Sequence, residues 1–129
     1  MLAAADLVAF VPTTDPRRAR AFYGTTLGLP LVEETPFACV FRAPNATLRV
    51  TVVDRVAPVP YTVLGWAVAD VERAVRELAA RGVEPLRYDG LDQDELGVWH
   101  SPAGALVAWF RDPDDNVLSV TQHAHAAPA

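Results

Sequence analysis

The sequence predicts an α+β fold, in which two βαβββ modules form a curved mixed sheet around a cavity. The first observation is an internal repeat at a constant offset of fifty-five residues: Asp15, Arg18, Ala19, Pro30 and Leu31 recur as Asp70, Arg73, Ala74, Pro85 and Leu86. The second is that both copies read as strand, capped helix, strand. Each helix would cover one face of its sheet and leave the other face for a cavity. We expect a single domain over 1–129, with module one at about 6–54 and module two at about 61–122.

Module one begins with an apolar run at 7–11, which predicts a strand bounded by Pro12. Asp15 offers an N-cap carboxylate, and Pro16 suits the first position of a helix. An apolar stripe at helical spacing supports that helix, and Gly28 ends it. Three strands complete the module, and we predict them at 31–35, 37–42 and 47–53.

Module two follows a connector at 54–60 that contains two prolines. Asp70 is predicted to cap its helix, and Gly82 to end it. An acidic loop is expected at 89–95, and the segment 112–116 reads as a tight turn. The strands of this module are predicted at 62–68, 85–88, 96–100, 105–111 and 117–122.

Composition excludes several classes of function. The chain is 51% apolar, so a folded core is expected, and no apolar stretch approaches the roughly 20 residues of a membrane-spanning helix. The N-terminus has no basic segment of a signal peptide. All basic residues are Arg, which excludes Schiff-base catalysis and a P-loop, and their one cluster is too small for nucleic-acid binding. Cys39 is the only cysteine, so we expect a buried thiol, no disulfide and a cytoplasmic location.

Two segments carry recognisable motifs. Residues 21–31 read AFYGTTLGLPL, and residues 109–116 read WFRDPDDN. They resemble the FYxxxLG segment and the late FxDPDGN hairpin of the vicinal oxygen chelate superfamily, which includes glyoxalase I, extradiol dioxygenases and bleomycin resistance proteins. The resemblance runs from about Leu7 to Gln122. It implies the fold and leaves the chemistry open, because one scaffold serves many functions. Asp115 stands where the motif usually has Gly, and we expect left-handed backbone there.

The resemblance also implies where a metal would be bound. Metal-dependent members carry His, Gln or Glu ligands on four strands, and the corresponding positions here are Val8, Leu64, Ser119 and, on the strand before the connector, Arg49. Val and Leu have no donor atom, Ser is a poor ligand, and Arg is a cation that repels a divalent ion. The histidines, His100, His123 and His125, miss all four positions. We therefore expect no metal and no cofactor.

The alternation of side chains along strands predicts what lines the cavity instead. Phe10 shares a face with Val8, Trp66 with Leu64, and Thr51 with Arg49. We predict no catalytic residue, and the predicted ligand-binding residues are Val8, Phe10, Arg49, Thr51, Leu64, Trp66, Trp99, Trp109 and Ser119. Aromatic walls, a few hydroxyls and one guanidinium suit a medium-sized organic ligand with planar parts. The acidic loop would favour a cationic one.

Three hypotheses of function remain open. The leading one is a metal-independent binding protein that confers self-resistance by sequestering a toxic natural product of the bleomycin, mitomycin or enediyne type. As the resemblance implies, we expect a homodimer with pockets between chains, and no nucleic-acid or membrane partner. The second is a glyoxalase- or dioxygenase-like enzyme, a lyase or an isomerase. The third is a subunit or regulator that uses the scaffold for protein contact.

Overall fold

Two four-stranded mixed sheets, each with helical structure on one face, make up residues 1–124, the part of the chain that this computed structural model describes. His125 lies outside the described residues. The chain divides into two units, one of Met1–Pro58 with Asp112–Asp115, the other of Val59–Arg111 with the chain from Asn116 onward. The predicted α+β class is therefore confirmed. None of the helices within residues 1–124 is long and apolar enough to cross a membrane.

The elements follow the predicted order with small shifts at their ends. Unit one contains β1 (Leu7–Thr13), α1 (Pro16–Arg20), a π-helical segment (Ala21–Thr26), β2 (Leu31–Thr35), β3 (Ala38–Ala43) and β4 (Ala46–Val52). Unit two contains β5 (Thr62–Ala67), α2 (Val71–Ala80), β6 (Trp99–His100), β7 (Leu106–Arg111) and β8 (Val117–Gln122).

Both sheets have the same topology. Their strand orders are β1-β4-β3-β2 and β5-β8-β7-β6, so the first strand of each unit lies beside its last. That first pair is parallel in each sheet, and the other pairs are antiparallel. The sequence repeat thus corresponds to a repeated architecture.

The helices begin where the repeat predicts. The Asp15 carboxylate accepts hydrogen bonds from the backbone N–H groups of Arg17 and Arg18, and Asp70 accepts one from Arg73. These bonds satisfy donors that have no partner within a helix. The first helix differs from expectation, because after Arg20 it widens into the π-helical segment, whose last turn closes with a bond from Leu27 N–H to the Phe22 carbonyl.

The predicted strand at 85–88 is wrong. In that segment the side chain of Gln93 forms hydrogen bonds with backbone groups that a neighbouring strand would otherwise pair. Its amide oxygen accepts from Tyr88 N–H, and its amide nitrogen donates to the Leu86 carbonyl. Only Leu86 N–H bonds to the adjacent β7, at the carbonyl of Trp109.

The core of each unit lies between its sheet and its helix. In unit one, the buried strand residues include Val11, Cys39 and Phe41, and Tyr23 packs its ring 6.1 Å from that of Phe41. In unit two, α2 buries Val71 and Val75, and it packs on β7 and β8, whose buried side chains include Ala108, Phe110, Leu118 and Val120. Each helix therefore covers one face of its own sheet.

Candidate functional site

The face of the first sheet opposite α1 carries four of the predicted ligand-binding residues. We call it the distal face of sheet one and define it by the register of its strands as Val8, Phe10, Val40, Arg42, Thr47, Arg49 and Thr51. Val8 lies opposite Thr47, and Phe10 lies opposite Arg49. Cys39 marks the other face, with its sulfur 3.8 Å from the carbonyl oxygen of Pro16.

Two apolar side chains of this face, both on β1, are unusually accessible, whereas Val40 on β3 is buried. Phe10 is 63% exposed and Val8 is 49% exposed, although both belong to a strand. Burying either side chain against an apolar partner would be worth roughly 1.5–3 kcal/mol. A contiguous exposed apolar surface of this kind is typical of a ligand or partner site.

Arg49 differs from every other arginine of the chain. All eleven basic residues lie within the described part, and Arg49 alone is half-buried while the others are exposed. It stands on the central strand β4, between Phe10 and Val40 in the register of the sheet. Among residues 1–124 its guanidinium has no ion pair or side-chain hydrogen bond. A partly desolvated cation with no counter-charge is costly unless something else supplies the partner.

Thr51, two residues further along the same strand, holds a second unpaired polar group. Its hydroxyl is the one buried side-chain polar atom without a hydrogen-bond partner among the residues that the structure describes. Buried hydroxyls are nearly always paired, and an exception calls for an explanation. Arg49 and Thr51 point to the same side of the sheet because the side-chain period along a strand is two. The distal face of sheet one therefore presents two donors with no acceptor.

The second sheet has its own distal face, which brings together three other predicted residues, Trp99, Trp109 and Ser119. Gly65, Trp109 and Ser119 lie side by side on β5, β7 and β8. A Cβ at Gly65 would lie 2.5 Å from the Ser119 hydroxyl, so a larger residue there would force this hydroxyl to rotate away. Trp99 joins the same face, its ring centroid 6.3 Å from that of Trp109.

Tyr88 completes this aromatic group, although no pattern in the sequence indicated that it would. Its ring meets that of Trp109 edge-on, with centroids 5.5 Å apart. The indole N–H of Trp109 donates to the hydroxyl of Thr62 over 3.1 Å, which fixes the orientation of the ring. Aromatic rings in such a group offer apolar surface against which a planar ligand can pack.

Leu64 and Trp66 do not share the face of Ser119, contrary to the expectation that all the predicted positions line one cavity. Leu64 pairs with the buried Leu118, and Trp66 pairs with Val120. The Trp66 ring stacks on Phe110 at 6.5 Å, which belongs to the helix-covered side. Leu64 and Trp66 face the helix side because the pairing of β5 with β8 is irregular between Thr62 and Leu64. A slip of one residue in the register reverses the face of every side chain after it.

The four positions that would hold a metal do not fit one. Val8 and Leu64 have no donor atom, and Leu64 turns toward the helix side of its sheet. Arg49 places a positive charge where a cation would be ligated. Within residues 1–124 no group of three or more His, Cys, Asp or Glu side chains is arranged to hold a metal ion. No chemical step through a metal can be built on these donors.

His100 and Asp94 form the one histidine–carboxylate pair of the described chain, with Nε2 and Oδ2 3.0 Å apart. The other oxygen of Asp94 accepts from the N–H groups of Leu96 and Val98. Burial by itself raises the pKa of Asp94, but these bonds and His100 outweigh it and lower that pKa below its usual range. Asp94 therefore organises the acidic loop internally. Burial raises the pKa of the Cys39 thiol, which disfavours a nucleophilic thiolate.

The turn at Asp112–Asp115 makes contacts that sequence reasoning missed. Asp112 accepts a hydrogen bond from the Tyr23 hydroxyl. Asp114 accepts from the hydroxyls of Thr13 and Thr14 and from Thr14 N–H, and it pairs with Arg18 at 3.2 Å. Asp115 has φ +65°, so the expected left-handed conformation is confirmed.

Comparison with known proteins agrees with this architecture. The family model of the Glyoxalase/Bleomycin resistance protein/Dioxygenase superfamily matches residues 5–120. The chain therefore belongs to that superfamily. Its two βαβββ units have the same strand order. No curated protein matches the sequence significantly.

Solved structures show the same fold at low sequence identity. A superfamily member from Sphaerobacter thermophilus is 21% identical, with a TM-score of 0.74 over 95% of this chain and 100% of its own. A lactoylglutathione lyase from Agrobacterium tumefaciens is 17% identical, with a TM-score of 0.68 over 92% of this chain and 93% of its own. The protein UcmS2 is 18% identical, with a TM-score of 0.72 over 95% of this chain and 100% of its own.

Proposed function

We propose that this chain is a metal-independent small-molecule binding protein, which confers self-resistance by sequestering a toxic natural product. The observation that carries the proposal is the replacement at the superfamily's metal positions. An aliphatic side chain, Val8, stands at one position. Arg49, a half-buried guanidinium without an ion pair in the described part of the chain, stands at another on the same sheet face. Such residues bind organic groups and cannot ligate a metal.

The chemistry of both distal faces supports a ligand with planar, apolar parts. On sheet one, Phe10 and Val8 offer exposed apolar area beside the donors of Arg49 and Thr51. On sheet two, Trp99, Trp109 and the hydroxyl of Ser119 share a face. Sites for drug-sized ligands combine a mostly apolar surface with a few placed polar groups. Leu64 and Trp66 are assigned to packing in this proposal.

Among toxic natural products, the proposal favours mitomycin-like quinones and enediynes over bleomycin-type glycopeptides. Asp94 of the acidic loop is engaged by the backbone of its own loop and by His100, which reduces the negative charge that the loop offers to a cationic ligand. The proposed form is a homodimer with pockets between chains. A cytoplasmic location is also part of the proposal, because it would keep the free Cys39 reduced.

The second candidate function is a lyase or isomerase of the same superfamily, and the His100–Asp94 pair is the observation that favours it. An imidazole oriented by a carboxylate can act as a general base. His100 is largely exposed, however, and it follows Trp99 on β6, so its side chain points to the face opposite Trp99.

A thermal-shift screen of chelator-treated protein against DNA-damaging natural products tests the proposal, with mass spectrometry of every recovered hit. A ligand at a hundred times its Kd should stabilise the fold by about 2.7 kcal/mol. Sequestration predicts that the ligand is recovered unchanged. A chemically altered ligand would establish catalysis, and His100→Gln would then be expected to abolish the conversion.

A further inference from the structure

We propose that the ligand of this protein carries an anionic oxygen, a carboxylate or a phenolate on an aromatic ring, and that Arg49 and Thr51 bind that oxygen. The inference rests on the proposed function and adds the charge and chemical class of the ligand. The observations that support it are two donors without a partner among residues 1–124, the Arg49 guanidinium and the Thr51 hydroxyl. Both lie on one sheet face beside the exposed ring of Phe10.

Arg49 supplies the charge. It is the only half-buried arginine of the eleven, and no carboxylate of residues 1–124 pairs with it. A guanidinium in that setting is stabilised by a carboxylate, to which it donates two parallel hydrogen bonds, or by a phenolate, whose single oxygen accepts from it. Its neighbour Phe10, opposite it on β1, leaves an exposed ring on which an aromatic ligand can stack.

Thr51 supplies a second donor toward the same ligand group. Its buried hydroxyl lacks a partner, and it lies one pleat repeat from Arg49, about 7 Å along β4. An anion bound by the guanidinium can also accept from this hydroxyl once Thr51 rotates about χ1, because the hydroxyl is buried in its present rotamer and a carboxylate has room for several donors. One bound oxygen group would thus pair the Arg49 guanidinium and the Thr51 hydroxyl, neither of which has a side-chain partner among residues 1–124.

The other charges of this face favour an anion over a cation. Arg42, on β3 opposite Thr47, is a second guanidinium that makes no ion pair with any of residues 1–124. A carboxylate on the same face is that of Glu33, on the edge strand β2 opposite Val40. Glu33 lies two strands from Arg49, and among the described residues these two side chains form no ion pair. The half-buried guanidinium of Arg49 therefore lies nearest the centre of this face, whereas the carboxylates of Glu33 on β2 and of Asp6, just before β1, lie at its rim, so the centre favours an anion.

The test uses three probes that share one ring system: 2-naphthoate, neutral 2-naphthamide and cationic 2-naphthylmethylammonium. Their affinities for the full chain are measured by isothermal titration calorimetry. We expect naphthoate to bind at least about tenfold more tightly than naphthamide, and the cation most weakly. Raising the salt concentration should weaken naphthoate binding and leave naphthamide unaffected.

Variants assign the preference to residues. Arg49→Gln should remove the preference for naphthoate over naphthamide, and Thr51→Val should reduce naphthoate affinity by about threefold to tenfold. Arg55→Gln, which removes an exposed arginine of the connector, is the matched control and should keep the full preference. Thermal melting of each variant shows that the fold is retained.

Equal affinity for naphthoate and naphthamide, retention of the preference in Arg49→Gln, or no binding of any probe would overturn the inference. A shift of the oligomeric state in Arg49→Gln, seen by sedimentation, with unchanged probe affinity would also overturn it, because a second copy would then occupy the face. In each case the proposed function stands if the natural-product screen yields a ligand that is recovered unchanged. The proposed function fails only if that screen yields no ligand or a chemically altered one.

Discussion

The hydroxyl of Tyr23 donates a hydrogen bond to Oδ2 of Asp112 over 2.6 Å, and both side chains are buried. The two residues are 89 positions apart, so the bond ties the π-helical segment to the Asp112–Asp115 turn of the same unit. Burial, followed by the charge of Asp112, raises the pKa of Tyr23 above its ordinary value. The phenol therefore remains a donor throughout the neutral pH range.

Tyr23→Phe should lower the free energy of unfolding by about 1.5–3 kcal/mol. The change removes a hydrogen bond to a charged group and leaves a buried carboxylate with one donor fewer. Urea denaturation at 25 °C measures the loss. The matched control is Tyr61→Phe, at an exposed tyrosine, which should change little. Equal stabilities for the two variants would show that the Tyr23–Asp112 bond contributes nothing measurable.

Asp114→Asn should destabilise the protein at pH 7 by roughly 1–3 kcal/mol, and the difference from the wild type should vanish in acid. Burial raises the pKa of Asp114, but hydrogen bonds from Thr13 and Thr14 and the charge of Arg18 outweigh it, so the folded-state pKa is lowered. A lowered pKa gives stability that is present above the unfolded value of about 3.9 and is lost as the pH falls through the folded value.

Melting temperatures of wild type and Asp114→Asn between pH 7 and pH 3 measure this dependence. The gap should be widest at neutral pH and narrow below about pH 4. Asp115→Asn, at the exposed neighbouring carboxylate, serves as the control for a general charge effect. A gap that stays constant with pH would rule out ionisation of Asp114 as its source.

Asp115→Val should cost about 1–2 kcal/mol, whereas Asp115→Gly should be neutral or stabilising. The backbone at this position has φ +65°, which a β-branched residue adopts only with strain and glycine adopts freely. Differential scanning calorimetry of the two variants gives the comparison. The account of this turn would be wrong if Val were tolerated as well as Gly.

Local chemistry explains why much of the fold was predictable from sequence. The caps at Asp15 and Asp70 depend on neighbouring residues alone, and so does the turn at Asp115. The strand predicted at 85–88 failed because Gln93, five residues beyond it, takes its backbone groups. No local pattern signals such a side-chain contact.

The candidate site was predictable only as far as the strand register was. Val8, Phe10, Arg49 and Thr51 share a face as alternation predicts, because β1 and β4 pair without irregularity. Leu64 and Trp66 were assigned to the wrong face, since the irregularity near Thr62 cannot be seen in the sequence. The partners of Asp112 and Asp114 lie about a hundred residues away, and only the folded chain reveals them.

Trp66→Ala and Trp109→Ala should have opposite effects. Trp66 stacks on the buried Phe110, so its loss should cost about 2–4 kcal/mol of stability and leave ligand affinity unchanged. Trp109 lies on the distal face of sheet two, so its loss should weaken binding of a ligand from the screen by about tenfold or more. Urea unfolding measures the stability of both variants, and titration with that ligand measures their affinity. Weaker binding by Trp66→Ala would contradict this assignment.

The central claim is that binding needs no metal, and a paired calorimetric titration tests it most directly. The best ligand from the screen is titrated into chelator-treated protein, and then into the same protein supplied with Ni²⁺, Zn²⁺, Fe²⁺ or Mn²⁺. Because Val8 and Arg49 cannot ligate a cation, we predict the same Kd in every titration. Binding that appears only after a metal is added would contradict the account.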